Sequence, residues 1–121
     1  MGMAAAMGNR TQVRLMISRG TSINVRDEEE STPLIAACIT RDADFVTWML
    51  DLGADVSARD RDGITPLLSA ISENQPDVID VLLRRGADPR ASAYGETALD
   101  SARKRGDPRI IALIEEALRR R

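Results

Sequence analysis

Short apolar segments alternate with polar turns along the chain, and this alternation repeats at an almost constant interval. The segment Thr32–Leu34 recurs as Thr65–Leu67 after 33 residues, and again as Thr97–Leu99 after a further 32. The segment Gly53–Asp55 recurs as Gly86–Asp88, also after 33 residues. Two different motifs therefore share one period. Self-similarity of this length is typical of a protein built from stacked repeats.

Each repeat unit is predicted to contain two short helices. Thr followed by Pro is typical of a helix start, because the Thr hydroxyl binds free N–H groups of the first turn and Pro loses no hydrogen bond there. The first helices are predicted over Pro33–Thr40, Pro66–Glu73 and Ala98–Arg105. The second helices are predicted over Ala43–Leu52, Pro76–Arg85 and Pro108–Arg120.

Glycines mark the turns that connect these helices. Gly20, Gly53 and Gly86 are predicted to close the second helices, where a left-handed backbone costs glycine little. Gly63 and Gly95 each lie two residues before a Thr, and they are predicted to form tight turns at the tips of loops.

This pattern resembles the ankyrin repeat, and the resemblance covers essentially the whole chain. The family pattern is roughly D-x-x-G-x-T-P-L-H-x-A-A, then a second helix, then G-A-D-x-N. The residues that match it best are Asp60, Gly63, Thr65, Pro66, Leu67, Ala70, Gly86, Ala87 and Asp88. The resemblance implies an all-α solenoid of stacked helix-turn-helix units with protruding hairpin loops. It divides a single domain, residues 1–121, into repeats at approximately 1–26, 27–59, 60–91 and 92–121, the first of them truncated.

Some positions depart from the family pattern. The family's His after Thr-Pro-Leu is replaced by Ile35, Leu68 and Asp100, so its bond back to the Thr is lost in the first two of these. In the last repeat, Thr97 and Asp100 have the spacing of a capping box. Glu30 occupies the position of the loop-tip glycines. If that turn needs a positive φ, the residue costs about 1 kcal/mol.

Aligned positions predict where the stack ends, because an inner repeat buries both of its faces and an end repeat only one. A first-helix position is apolar until the last repeat, where it is charged: Ala5, Cys38, Ile71 and Arg103. A second-helix position behaves in the same way: Ile17, Leu50, Leu83 and Glu115. At a third position only the first residue is polar: Gln12, Phe45, Val78 and Ile110. We expect a stack that is complete at both ends; the alternative is an excised fragment whose ends are polar by accident.

The composition removes several classes of function. The chain has no His and a single Cys, so it contains neither a Ser-His-Asp nor a Cys-His arrangement, nor a zinc site made of these residues. We expect no catalysis, no cofactor and no metal. Cys38 is predicted to be a buried, inert thiol rather than a reactive one. Since the chain has no transmembrane-length apolar run and no secretory signal, we expect it in the reducing cytoplasm.

Charge is distributed unevenly, although the net charge is only −2. Residues 1–60 carry six bases and nine acids, whereas residues 101–121 carry seven bases and three acids. The basic end is interpreted as a complement to the dipole of the last helix, with phosphate binding as the alternative. The acidic run Asp27–Glu30 is either a solvated loop tip or a contact for a basic partner. Trp48 is expected either to pack between outer helices or to anchor a partner.

In the family that the chain resembles, partners contact the loop tips and the exposed side of the first helices. The expected function is therefore non-catalytic recognition of another protein by a monomer, with no membrane and no nucleic-acid partner. The alternative is binding of nucleic acid or another anionic surface through the basic C-terminal end. End-to-end self-association is a third class, which the polar ends oppose.

The predicted partner-binding positions follow from the same correspondence. They are Arg26, Glu28, Glu29, Ser31, Ile39, Thr40, Arg59, Arg61, Asp62, Ile64, Ser72, Glu73, Ala93, Tyr94, Glu96 and Arg105. Ile39, Ile64 and Tyr94 are the apolar members and are expected to anchor the partner. Arg59 and Arg61 flank them and are expected to pair bidentately with a partner carboxylate. The alternative is that Ile64 and Tyr94 only pack loop against loop.

Overall fold

The computed structural model describes residues 10–120. Within this range the chain forms seven helices and one two-stranded hairpin. The helices are α1 (Arg10–Ser18), α2 (Pro33–Ala37), α3 (Ala43–Asp51), α4 (Pro66–Ser72), α5 (Pro76–Arg84), α6 (Ala98–Arg105) and α7 (Pro108–Arg119). The strands are β1 (Ser92–Ala93) and β2 (Glu96–Thr97). The predicted all-α fold of helix-turn-helix units is confirmed.

Each first helix begins as its Thr residue predicts. The hydroxyl of Thr65 accepts a hydrogen bond from the N–H of Leu68 at 3.2 Å, and Thr32 caps its helix in the same way. In the last repeat, the Thr97 hydroxyl accepts from the N–H of Asp100, and the Asp100 carboxylate accepts from the N–H of Thr97, both at 3.1 Å. The predicted capping box is therefore present. The bond from the Thr97 N–H lowers the pKa of the Asp100 carboxyl.

Helix α6 has the predicted bounds, Ala98–Arg105, but the other predicted helices end earlier than expected. Helix α2 ends at Ala37 rather than Thr40, and α4 ends at Ser72 rather than Glu73. After Ala37, the N–H groups of Ile39 and Thr40 donate to carbonyls three residues earlier, at 3.3 and 3.0 Å. This tighter hydrogen-bonding pattern ends the α-helix. The second helices end one residue before the predicted positions, at Asp51, Arg84 and Arg119.

A left-handed residue separates the two helices of each complete unit. Arg41, Asn74 and Gly106 hold this position, with φ values of 63°, 55° and 75°. The turn is not predicted from the sequence, because only the last of the three is the glycine that this conformation favours. The predicted left-handed turn after each second helix is confirmed at Gly20, Gly53 and Gly86.

One apolar core runs through the neighbouring units. Cys38 and Ile71, which are aligned on the first helices, are fully buried, and Leu50 on α3 is 7% exposed. Phe45 and Val78, aligned on the second helices, are buried as well. Burial raises the pKa of the Cys38 thiol far above its ordinary value. The prediction that Cys38 is a buried thiol is confirmed.

The last described unit presents charge where the inner units are apolar. Arg103 and Glu115 occupy the aligned positions, and their side chains form an exposed ion pair of 3.6 Å. At the other end, Ile17 on α1 is 40% exposed, although its equivalent Leu50 is 7% exposed. The Ile17 side chain is therefore covered less completely than the equivalent Leu50 of an inner unit. Ala5 and the side chain of Gln12 lie outside the described structure, so a polar N-terminal end stays a prediction.

Side-chain amides join neighbouring units, and two of them donate to backbone carbonyls. Gln75 is 4% exposed, and its Nε2 donates to the carbonyl of Cys38 at 2.8 Å. The Gln75 amide therefore makes a bond between repeats, and it does not cap the start of α5. Asn24 makes a paired contact with the next unit: its Nδ2 donates to the Gly53 carbonyl at 3.1 Å, and its Oδ1 accepts from the N–H of Asp55 at 2.7 Å.

Trp48 packs between two outer helices, which is the first of the two roles expected for it. Its ring stacks on Phe45 with centroids 5.9 Å apart. From α1, the guanidinium groups of Arg10 and Arg14 lie 5.9 and 5.6 Å from the centroid of the Trp48 ring. These cation–π contacts hold α1 against α3.

Replacing Cys38 tests the core assignment. We expect a thiol-specific reagent to label native protein only after unfolding, because the sulfur has no exposed surface. Cys38→Ala should lower the free energy of unfolding by about 1 kcal/mol, measured by urea denaturation, because a small volume is lost. Rapid labelling of the folded chain would contradict the assignment.

Candidate functional site

Three hairpin loops precede the first helices of the complete units. In the first, the N–H of Asp27 donates to the Ser31 carbonyl at 3.0 Å and the N–H of Glu30 donates to the Asp27 carbonyl at 2.9 Å. The Asp27 carboxylate also accepts from the N–H groups of Glu29 and Ser31, at 2.9 and 3.0 Å. The second loop repeats this network around Asp60. In each of these two loops, the Asp side chain thus fixes the tip from inside.

The first loop holds a glutamate in a left-handed conformation. Glu30 has a φ of 61°, and Gly63 has a φ of 83° at the equivalent position of the second loop. The predicted cost at Glu30 depended on a positive φ, and the structure shows that φ is positive there. This conformation disfavours a residue with a side chain.

The third hairpin is one residue shorter than the other two. Ala93 pairs with Glu96 in the antiparallel β1–β2 ladder, and Tyr94 and Gly95 form the turn with φ values of 56° and 76°. Two consecutive positive φ values identify a two-residue turn of type I′. The deletion explains why the Thr motif recurs after 33 residues in the earlier repeat and after 32 in this one.

Arg26 connects the first hairpin to the second, and Arg59 connects the second to the third. The Nη1 of Arg26 donates to the Glu30 carbonyl in its own loop, at 2.9 Å, and to the Arg59 carbonyl in the next, at 2.7 Å. Arg59 repeats the arrangement at longer range, donating to the carbonyls of Gly63 and Ser92 at 3.3 and 3.4 Å. Each guanidinium therefore spans two loops.

Arg61 adds a third connection in the reverse direction. Its Nη2 donates to the Glu28 carbonyl at 2.6 Å, and its backbone N–H donates to the Glu29 carbonyl at 2.8 Å. We call Arg26, Arg59 and Arg61 the arginine ladder. Arg59 and Arg61 are the residues expected to pair with a partner carboxylate, but in the structure their guanidinium groups bind carbonyls of the chain itself.

The carboxylates of the loop tips have a different environment from the arginines. Glu28, Glu29, Glu30 and Asp62 are exposed. Within residues 10–120, the ion pairs of 4.0 Å or less involve none of these four side chains. The edge formed by the hairpin tips therefore presents acidic groups to solvent.

In the basic C-terminal region, in contrast, most of the bases already pair with acids of the chain. Five of its six described bases form ion pairs: Arg103 with Glu115, Lys104 with Glu96, Arg109 with Asp107, and both Arg119 and Arg120 with Glu116. Arg109 also donates hydrogen bonds to Asp107, which lower the pKa of that carboxyl to about 2. Arg121 lies outside the described residues.

Several predicted site residues lie around one depression between α4, the third hairpin and α6. Its volume is about 240 Å³. We call it the inter-repeat groove, and its lining residues are Ile64, Leu68, Ser72, Ala93, Tyr94, Glu96 and Ser101. A second depression of about 190 Å³ continues it towards Lys104 and Arg105, and the two share Leu68, Ser72, Glu96 and Ser101.

The two apolar anchors of the groove are exposed to different degrees. The Tyr94 side chain is 75% exposed. Ile64 is half-buried and packs against the core. Leu68 is only 7% exposed at the floor of the groove. Loop packing therefore accounts for Ile64 in part, but it does not account for Tyr94.

The remaining predicted positions are not among the residues that line the inter-repeat groove. Arg26, Glu28, Glu29 and Ser31 belong to the edge of the first hairpin, next to Arg59, Arg61 and Asp62 of the second. Ile39 is 46% exposed after α2, and the hydroxyl of its neighbour Thr40 donates to the Ala37 carbonyl at 2.7 Å. Glu73 is exposed at the end of α4.

Four residues of the two depressions are absent from the predicted set: Leu68, Ile71, Ser101 and Lys104. The repeat period contains a signal for one of them, since the 32-residue step that leads from Thr65 to Thr97 leads from Ser72 to Lys104. Leu68 directly follows the Thr-Pro-Leu motif, at the position where the family pattern has His.

A family model for ankyrin repeats, in three copies, matches residues 1–93. The chain belongs to the ankyrin-repeat family. Residues beyond 93 continue the architecture with α6 and α7, an ankyrin-like pair of helices that follows the third hairpin. A search of the curated proteins finds no match. Ankyrin repeats generally act as protein–protein interaction modules and are typically not catalytic.

Two further findings concern the described part of this ankyrin chain. Among residues 10–120, no group of three or more His, Cys, Asp and Glu side chains has an arrangement that could hold a metal ion. None of the helices in the same range is long and apolar enough to cross a membrane.

Replacing Glu30 tests the strain in the first hairpin. Glu30→Gly should raise the free energy of unfolding by about 1 kcal/mol, because glycine adopts a positive φ without the steric cost of a side chain. Gly63→Ala, at the equivalent position, should lower it by a similar amount. Space is open around Gly63, so that change acts through the backbone alone. Urea denaturation of both variants measures the difference, and a destabilised Glu30→Gly would contradict this account.

Replacing Arg26 tests the arginine ladder. Arg26→Met keeps most of the aliphatic chain but removes two hydrogen bonds, so it should lower the free energy of unfolding by about 1–2 kcal/mol. Hydrogen exchange at residues 27–31 and 59–64 should become faster. The matched control is Arg19→Met, an exposed arginine directly after α1 whose side chain makes no hydrogen bond within the described structure. Equal effects of the two changes would argue against the ladder.

Proposed function

We propose that the chain is a non-catalytic module that recognises a partner protein through its first helices and hairpin tips. The observation that supports this proposal is the inter-repeat groove, where a 75% exposed Tyr94 lies beside half-buried Ile64 and Ala93. Exposed aromatic rings beside apolar pockets are typical of interaction hot spots. Polar groups surround this apolar patch, as they do at the rim of an interface.

The groove and the edge formed by the hairpin tips contribute different kinds of contact to a partner. Tyr94 and Ile64 supply apolar contact area in the groove, and Ile39 adds a second exposed apolar side chain, 46% exposed, on the neighbouring unit. The acidic loop tips supply charge at the edge of the same surface. The arginine ladder supports the loops that carry these groups, so Arg26, Arg59 and Arg61 act by positioning.

The basic C-terminal end is a weaker candidate for the binding surface. Counterion release by phosphate contacts requires cations that are free to neutralise phosphate. Five of the six described bases in that region already pair with acids of the chain. This pairing favours the interpretation that the bases keep the end of the stack soluble.

The first test uses a partner captured from the native cell and identified by mass spectrometry. Tyr94→Ala should weaken its binding by about 1–3 kcal/mol in calorimetry, because an exposed aromatic contact is lost. The unfolding midpoint should stay nearly unchanged, since Tyr94 contributes little to the core. Ile64→Ala should weaken binding too, but with a lower midpoint because Ile64 packs against the core.

The control for this test neutralises the basic end. Replacing Arg103, Arg119 and Arg120 by Gln should leave the affinity unchanged. If binding survives Tyr94→Ala and Ile64→Ala but is lost in the triple variant, the basic end is the site and the proposal is wrong.

A further inference from the structure

The hairpin edge beside the groove has an unbalanced charge. Residues 26–30 and 59–62 contain six acids and three bases. The three bases are the arginine ladder, whose guanidinium groups are turned onto backbone carbonyls. The exposed acids form no ion pair within the described residues. A partner that approaches this edge therefore meets an excess of negative charge.

Tyr94 lies where this acidic edge meets the inter-repeat groove. Partial desolvation, contact with the Asp62 side chain, and the negative charges of Asp62 and Asp60 raise the pKa of the Tyr94 hydroxyl. The tips of the second and third hairpins are neighbours, because Arg59 donates to the Ser92 carbonyl and because Ile64 and Tyr94 line one groove. The Asp62 carboxylate, two residues before Ile64, therefore lies next to the Tyr94 hydroxyl. Since the ring is 75% exposed, its surface is open to a ligand. An exposed aromatic face with a carboxylate beside its hydroxyl attracts a cation through both the ring quadrupole and the neighbouring negative charge.

Among the described residues that line the groove, one is charged, and its charge is paired. Glu96, on the groove wall, pairs with Lys104. The floor is Leu68, and Ile64 and Ala93 complete the apolar lining. A side chain that enters the groove therefore needs to be apolar, whereas one that lies over Tyr94 needs to be positive.

We propose that the inter-repeat groove takes a basic segment of the partner protein, with a Lys or Arg side chain over Tyr94 beside Asp62 and an apolar side chain against Leu68. This inference rests on the proposed function, because it names the chemistry of the partner for the same surface. The acidic hairpin edge extends the attraction to further basic residues of the segment. Complementary charge of this kind accelerates encounter and selects the partner.

A display experiment with the full chain as bait tests the inference. The probe is a library of random 12-residue peptides, selected for binding and then sequenced. We expect the enriched peptides to contain Lys or Arg together with a nearby apolar residue. The most enriched peptide, made synthetically, should lose affinity about tenfold on Asp62→Asn and on Tyr94→Ala. Its affinity should also fall as salt is added.

Two control variants make the readout specific. Tyr94→Phe keeps the aromatic face and should retain most of the affinity, which separates the ring from the hydroxyl. Asp44→Asn removes the same charge from an exposed position on α3 and should leave the affinity unchanged. Unfolding midpoints of Asp62→Asn and Tyr94→Phe report on the fold independently of binding.

The possible failures are distinguishable. Enriched peptides that are neutral or acidic, but that lose binding on Tyr94→Ala, would overturn the basic partner and leave the proposed function standing. Enriched peptides whose binding survives both Tyr94→Ala and Ile64→Ala would overturn the inference and the proposed function together. A selection that enriches no peptide would overturn the inference, because the groove would then have no affinity for a segment of chain.

Discussion

The helix pairs of this chain bury their apolar faces only against one another. A single helix pair of this size has two faces, and neither can be covered from within the unit. Cys38 and Ile71 reach full burial only because another unit lies against each of them. Where the described stack ends, the same position becomes Arg103, whose partner is the charged Glu115 rather than an apolar neighbour.

The polar contacts between units follow the same period as the apolar ones. The bond from Arg26 to the Arg59 carbonyl and the bond from Arg59 to the Ser92 carbonyl both span 33 residues. The bond from Arg61 to the Glu28 carbonyl spans 33 in the opposite direction. Since each contact reaches only the adjacent unit, the stability of the chain is a sum of neighbouring terms.

The fold was open to prediction from the sequence because its signals are local and repeated. Thr32, Thr65 and Thr97 mark the first helices through caps that operate within three residues. The ends of α2 and α4 were harder to predict. The turns that follow these helices use Arg41 and Asn74 in a left-handed conformation that their residue types do not indicate. Tertiary packing, rather than propensity, holds those residues there.

Only those features of the candidate site that follow from aligning the repeats could be predicted from the sequence. Ile64, Tyr94 and Glu96 were assigned to one surface by alignment, and they line one groove. The partners of Arg59 and Arg61 were not predictable, since the reach of a guanidinium across two loops depends on the distance between units and not on the residue type. The sequence indicates which residues face outward, but not whether their hydrogen-bonding groups are already occupied.

The arginine ladder has a thermodynamic consequence for recognition. A loop that must be immobilised by its partner loses conformational entropy on binding, and this loss subtracts from the affinity. The hairpins here are connected to one another by Arg26, Arg59 and Arg61 in the chain alone. Their entropy is therefore lost at folding, before any encounter, and a partner meets a preorganised edge rather than three independent loops.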